Sequence, residues 1–397
     1  MIVFSLYPLG ETRVQREAEA LLRQGYEVDV ICIRMPGEAP NDEYKGVKIY
    51  REEIRLPIVL TKSGALSRKF LYYLRFFLSA AIRVSRLHFT RHYGTVQVHN
   101  LPDFLVFCAL IPKIFGAPII LDLHDLMPEF YAGRFGQTSS LAARLIRLQE
   151  RLACRFADHV ITVSEHWRQA LIQRGVPENK CSVVMNVADE NIFRPSNGNH
   201  NHQQTGNEFR LIYHGSMQMR YGLDLAVQAL DRLRNEIPGI HLSLVGEGDF
   251  LPLLREMVEQ LHLREYVTLE PARLAEDLPD MILACNVGVV PYRNDVFTDG
   301  LLPTKLMEYA ALEMPAIAAR TTAIQSYFSD TNTEFFEPGS ADDLVRCITQ
   351  LYHDPDRLSE LGRRSQKFNQ RYNWAQISKE YVLLVDRLRT GNSNIVM

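Results

Sequence analysis

The sequence predicts an α/β protein made of two doubly wound domains, each a parallel sheet covered on both faces by helices. Three observations carry that expectation. Short apolar runs alternate with helix-period stretches from end to end, the pattern left by parallel strands and their crossover helices. The 397 residues exceed one typical domain and suit two. The alternation breaks once, around "SNGNHNHQQTGN" at 196–207, which is polar and without period and reads as a linker.

In the first domain, 1–190, strands are expected at 2–8, 26–34, 95–98, 118–122, 159–163 and 181–185, and helices at 11–24, 102–115 and 138–157. A linker over 191–206 leads to the second domain, 207–370. Its strands fall at 209–213, 240–245, 266–269, 286–291, 315–319 and 333–336, and its helices at 221–236, 249–262, 303–313 and 340–352. "NWAQISKEYVLLVDRLR", within 371–390, is a last helical pattern that could cross back to the first domain, and 391–397 is a tail. Two such domains facing one another leave a deep cleft, and open α/β sheets bind ligands beyond the carboxyl ends of their strands.

Composition narrows the function. With 46% hydrophobic and 23% charged residues the chain can fill its cores. A net charge of −3 argues against nucleic acid as partner. The six cysteines, at 32, 108, 154, 181, 285 and 347, show no C-x-x-C pair and suit buried thiols in a reducing cytoplasm. Residues 1–9 lack the basic start and long apolar core of a signal peptide. "FLYYLRFFLSAAI" at 70–82 is too short to span a bilayer and carries Arg75. Residues 54–102 hold no Asp or Glu but eight Lys or Arg among aromatics. The stretch 54–92 is therefore a candidate for peripheral contact with an anionic membrane at its inner face, against the plainer reading of a helix that buries its aromatics.

Four motifs carry chemistry. In "FTDGLLPTKLMEYAALEMPAIA", 297–318, Pro303 suits the first helical position, leaving Leu302 as an N-cap without a side-chain oxygen. The free amides of Thr304 and Lys305 then suit an anion, and Lys305 adds a full charge. Glu308 shares that helical face and could accept hydrogen bonds from two vicinal hydroxyls. In "IYHGSMQMRYGLDLAVQAL", 212–230, a strand runs into Gly215, Arg220 and Gly222 before a helix, a second seat for phosphate. "SLVGEGDF", 243–250, places Gly246 and Gly248 after a strand, but Leu251 stands where a dinucleotide fingerprint needs glycine. Those glycines are expected to let a ligand approach the backbone. "IILDLHDLMPEF", 119–130, brings His124, Asp125 and Glu129 to a strand terminus. No metal site and no cofactor are expected.

Together, "LLPTKLMEYAALEMPAIA", "YHGSMQMRYGLDLA", "LVGEG", "LDLHDLMPE" and "VSEHW…VVMNVADENIF" resemble the retaining nucleotide-sugar glycosyltransferases of family 4 over nearly the whole chain. The resemblance implies a GT-B fold, two Rossmann-like domains facing the cleft, with a nucleoside-diphosphate sugar held by the second and a saccharide or lipid-linked acceptor by the first. It implies that Glu308 holds the donor ribose and that Arg220 and Lys305 face the diphosphate. Gly215, Ser216, Gly246, Gly248, Gly300, Leu301, Leu302 and Thr304 complete the donor side. His124 stands near the transferred sugar, with Gly10, Asp125 and Glu129 on the acceptor side. Such enzymes need no metal, since cations and helix N-termini neutralise the leaving diphosphate. The chain departs from the family pattern at Gly300, where a glutamate is common and Asp299 or the amides of 300–302 could substitute. Other departures are Ser216 and Tyr221 in the phosphate loop and Glu313 after the helix. A sugar-nucleotide epimerase and a non-catalytic binding subunit are the competing readings.

Overall fold

A computed structural model describes residues 1–8, 11–54, 65–135, 141–194 and 208–391, without the side chains of 65–69, 134 and 135. Gly10, Arg55, Lys62, most of the expected linker and the end of the tail lie outside the described residues. The chain divides into two compact units, 1–186 with 375–397, and 187–374. The expected boundary at 190 thus falls inside the second unit.

Unit 1 is built on β1 (Asp29–Ile33), β2 (Asn41–Tyr44), β3 (Val47–Glu52), β4 (Val96–His99), β5 (Ile119–Leu123), β6 (His159–Thr162) and β7 (Cys181–Val183). They order as β1-β3-β2 and β4-β5-β6-β7. The opening apolar run joins the two groups, but it pairs as an isolated bridge at Ile2, to Ile31 on one side and Val98 on the other, instead of as a strand over 2–8. β4, β5 and β6 are buried at every residue, as a parallel sheet covered on both faces requires. The β2–β3 hairpin is antiparallel and was not expected, because the residues of β2, "NDEY", are polar and exposed throughout. The helices are α1 (Thr12–Arg23), α2 (Ala65–Arg91), α3 (Leu110–Ile114), α4 (Met127–Phe135), α5 (Leu141–Phe156) and α6 (Glu165–Gln173). The helix expected at 102–115 is a 3-10 turn, Asp103–Ala109, running into α3.

Unit 2 holds β8 (Phe209–His214), β9 (Ile240–Val245), β10 (Val267–Glu270), β11 (Val287–Val290), β12 (Ala316–Ala319) and β13 (Glu334–Phe336). They form one parallel sheet in the order β10-β9-β8-β11-β12-β13. Counted within the unit this is the 3-2-1-4-5-6 order of a doubly wound nucleotide-binding sheet, whose direction of winding reverses between β8 and β11. Its helices are α7 (Leu223–Leu233), α8 (Leu251–Gln260), α9 (Leu278–Leu283), α10 (Thr304–Ala311), α11 (Thr322–Gln325), α12 (Ala341–His353) and α13 (Pro355–Arg371). α12 and α13 are capped by Ser340 and Asp354, whose side chains accept from Asp343 and Arg357 amides. The last helix, α14 (Trp374–Thr390), belongs almost wholly to unit 1. There Tyr381 is buried and its hydroxyl donates to Gln97 Oε1 at 2.6 Å.

Candidate functional site

The winding reversal in unit 2 sets where a ligand would lie, and the loops that follow β8 and β11 meet there. β8 ends at His214, and Gly215 N donates to Val245 O. A Cβ added at Gly246 would stand 1.9 Å from Gly215 O, and one at Gly248 would stand 2.1 Å from Met217 O. The 215–217 loop thus packs on the Cβ side of these two glycines, which leaves no room for a side chain at either. Gly222 caps α7 at φ 62°, and a Cβ there would meet Pro291 O at 1.9 Å. Arg293, which the sequence did not single out, fixes the same loop. Its guanidinium grips Asp224 through two hydrogen bonds of 2.7 and 2.6 Å and donates to Met219 O at 3.1 Å.

Arg220 sits on the 3-10 turn Met219–Tyr221, its guanidinium 5.0 Å from the centre of the Phe297 ring. Tyr221 stacks on Tyr292. Ser216 is exposed, its carbonyl accepting from Tyr213 Oη at 2.6 Å.

α10 begins one residue later than expected, because Pro303 takes an extended ψ of 128° and becomes the N-cap. The chemistry of the first turn is the same, since proline, like leucine, offers no side-chain oxygen and no side chain caps this helix. Lys305 is buried, and its Nζ donates to Tyr292 Oη at 2.8 Å. The ammonium also lies over the rings of Tyr213, Tyr292 and Tyr221, at 4.8, 5.1 and 5.6 Å from their centres, close enough for cation–π attraction. Burial lowers its pKa, against the pull of Tyr221 and Glu308. Gly215 lies beside it, a Cβ there reaching 3.5 Å from Lys305 Cε. Glu308 Oε2 stands 3.3 Å from His214 Nε2. Burial, with Lys305 nearby, pushes His214 down to about 3, so it faces Glu308 as a neutral imidazole. Tyr309 Oη donates to Ile212 O at 3.1 Å and seats α10 on β8.

The segment before α10 is held by its own hydrogen bonds. Asp295 Oδ1 accepts from the Phe297 and Thr298 amides, both at 2.8 Å. Gly300 N and Leu301 N donate to Phe297 O and Thr298 O, so two of the amides thought open to a ligand are engaged in this turn. Gly300 and Leu302 are buried. Asp299 Oδ1 accepts from Thr322 N at 2.8 Å, at the start of α11. That bond ties it to α11.

In unit 1, β5 delivers His124 to its carboxyl edge. His124 N donates to Asn100 Oδ1 at 2.8 Å, and Asn100 Nδ2 donates to Asp103 Oδ1 and Asp125 O at 3.0 and 2.6 Å. His124 Nε2 lies 3.1 Å from His99 Nδ1 and 3.4 Å from Asp122 Oδ2. Beneath them Arg13 grips Asp122 through two 2.9 Å hydrogen bonds and donates to Val184 O at 2.7 Å. Burial opposes the Asp122 charge, but Arg13 and His124 hold its carboxyl well below the usual range. Burial likewise opposes a charged His124, yet Asp122 raises its pKa, whereas burial carries His99 down to about 4. His99, Asp122 and His124 bring ligand atoms within 4.8 Å of one another. They do not suit a divalent cation, because the guanidinium of Arg13 already occupies both Asp122 oxygens and would repel it. Glu129, expected at the strand edge, sits on α4 in a buried ion pair with Arg174, which also binds Glu150.

The chain matches the family described as "Glycosyltransferase Family 4" over residues 10–191 and "Glycosyl transferases group 1" over 199–368. It is 28% identical over 149 residues to a GDP-mannose-dependent phosphatidylinositol monomannoside mannosyltransferase of Mycolicibacterium smegmatis, spanning 36% of this chain and 38% of that one. It is 24% identical over 334 residues to the D-inositol 3-phosphate glycosyltransferase of Thermobispora bispora, covering 79% of this chain and 76% of that one. Among solved structures, the sucrose-phosphate synthase of Thermosynechococcus elongatus aligns with a TM-score of 0.76 at 20% identity, over 96% of this chain and 94% of that one. The Anabaena protein HepE, solved in complex with UDP, aligns with a TM-score of 0.71 at 17% identity, over 97% and 98%. These structures share the GT-B fold, and that fold class is the one this protein adopts. Within that class the chain belongs to glycosyltransferase family 4.

Proposed function

We propose that the protein is a retaining, metal-independent hexosyltransferase that moves a sugar from a nucleoside-diphosphate sugar to a saccharide or lipid-linked saccharide during polysaccharide or glycolipid assembly. The uncapped first turn of α10, placed at the winding reversal of unit 2, carries this reading. Free amides and the helix dipole there suit a diphosphate, Arg220 adds a cation, and Glu308 one turn on suits the ribose hydroxyls. The UDP bound by the Anabaena protein of the same fold supports a nucleotide-sugar donor. His124, at the carboxyl edge of unit 1, would contact the transferred sugar, with the acceptor beside Asp125.

In the proposed reaction the acceptor hydroxyl attacks the anomeric carbon from the face that the diphosphate leaves. The bond from that carbon to the phosphate oxygen breaks, the new glycosidic bond forms, and the acceptor proton passes to the departing oxygen. Stabilising the charge on that oxygen is the main task, and Arg220, Lys305 and the α10 amides would perform it without a cation cofactor. A non-catalytic binding subunit has one observation in its favour, the bond that ties Asp299 to α11.

Among the described residues no helix is long and apolar enough to cross a membrane. We place the protein in the cytoplasm, peripheral at the inner membrane face through 54–92. The test is thermal shift with UDP and GDP, followed by incubation with their sugars and anomeric analysis of the product. A shift with neither nucleotide refutes the donor site, binding without turnover over a broad acceptor panel favours the binding subunit, and an inverted product refutes retention.

A further inference from the structure

Of the nineteen large apolar side chains exposed among the described residues, twelve stand on α2, on α5, or on α3 and the residue that caps it, so the exposure is concentrated on three neighbouring helices. α5 shows the pattern most plainly. It turns Ala143, Glu150, Ala153 and Cys154 inward, while Leu141, Leu145, Leu148 and Leu152 are 73%, 57%, 51% and 48% exposed. Those four leucines recur at helical spacing and form one ridge directed away from the core. A helix that had only to seat on its sheet and face water would place small and large residues the other way round.

The three helices form one layer around the 3-10 turn Asp103–Ala109. Phe77 meets Phe104 at 5.8 Å, Phe89 meets Phe115 at 5.0 Å, and Phe107 meets Phe156 at 5.1 Å between ring centres. The exposed charges of this layer have one sign. Arg75 and Arg86 stand on α2, and Arg144, Arg147, Arg151 and Arg155 line one flank of the α5 ridge. The only acid on the three helices, Glu150, is buried and bound by Arg174. Because α2 and α5 each lead into a parallel strand, their first turns lie at the sheet edge that carries His124. Phe70 on α2 is 6.5 Å from Phe104, next to Asp103 and the Asn100 that holds His124.

We propose that α2, α3 and α5 make one docking face for an anionic bilayer, with the leucine ridge of α5 set among the lipids and its arginines on the head-group phosphates. This deepens the membrane reading given above and assigns a second helix outside 54–92. Charge chooses the occupant: an acid-free arginine flank complements lipid phosphate, whereas a second copy would bring the same cations to its own interface.

The full chain is tested by co-sedimentation with vesicles of equal parts phosphatidylglycerol and phosphatidylcholine, and with phosphatidylcholine alone. The wild type partitions to the anionic vesicles about tenfold or more over the neutral ones. The double variant Leu145→Ser/Leu148→Ser, and separately Arg144→Gln/Arg151→Gln, each lose about tenfold of that partition, with the melting temperature held. If both α5 variants bind like the wild type while Leu78→Ser/Ile82→Ser on α2 does not, contact is confined to 54–92 and the α5 assignment falls while the earlier reading stands. If the wild type ignores anionic vesicles, both fall. A dimer that the α5 leucine variant converts to monomers would also overturn the proposal, by showing that a second copy covers the ridge.

Discussion

Glu308 and its neighbour His214 show how much one side chain here depends on another. The carboxylate lies 3.3 Å from an imidazole that burial keeps neutral, so it is oriented without its charge being cancelled. Glu308→Gln keeps the shape and removes the charge, and is expected to weaken nucleotide binding by about 1.5–3 kcal/mol, roughly 10- to 100-fold. Isothermal titration with the nucleotide that shifts the wild type would measure it. His214→Ala should cost less, about 1 kcal/mol, expressed as a raised KM for the donor with kcat held. A fall in kcat alone would contradict the positioning role. In unit 1, Asp122→Asn removes the carboxylate that takes two hydrogen bonds from buried Arg13 and leaves Glu17, at 3.3 Å, as its remaining acid, and should lower stability by about 3 kcal/mol in urea unfolding. Gly215, Lys305 and Glu308 were readable because local spacing exposed them. The Arg13–Asp122 pair was not, because the partners lie 109 residues apart and only the fold joins them.

The elements were readable where burial is two-sided. β4, β5, β6 and β11 are buried at every residue, and all four appear in the sequence as short stretches rich in Val, Ile and Leu. β2 is exposed throughout and left no such signal. α10 was found almost to the residue, because Pro303 and the apolar run after it bracket the helix. Just beyond its end Glu313 sits at φ 55° and accepts from Gln366 Nε2 at 2.7 Å. The left-handed backbone costs a non-glycine residue about 1–2 kcal/mol, and the hydrogen bond returns about 1 kcal/mol or less. Glu313→Gly should therefore raise stability by about 0.5–1 kcal/mol, read as a higher urea midpoint at unchanged slope.

For the molecule as a whole, buried neutral histidines, among them His99, His159 and His214, contribute an acid limb of stability. His99 and His214 are carried down to about 4 and about 3 by burial, while in the unfolded chain both titrate near 6.5. Between those values the unfolded state binds more protons, so their contribution is complete above about pH 6.5 and is lost as pH falls, by about 1 kcal/mol per pH unit for each. Buried Glu17 and Glu150, raised to about 8, act in the opposite sense over the same range, so the check is the histidine's own part. The urea midpoint of the wild type minus that of His214→Asn should fall on acidification from about pH 6.5, and a difference independent of pH would contradict it. The division into two units was readable from the polar break near 200, but the return of α14 rests on contacts such as Tyr381 with Gln97, which no local pattern reveals.

That return also fixes an order of assembly. Unit 2 is one unbroken stretch, whereas unit 1 is completed only by residues from Ala375 onward. During synthesis the inner half can close on itself while the outer half waits for its last piece. Through Tyr381 that piece reaches Gln97, whose amide donates to Glu17 and Asp122. The setting of His124 is thus finished by residues made only after the whole of unit 2, and a nascent chain stalled before them would carry a folded inner half and an unfinished histidine edge.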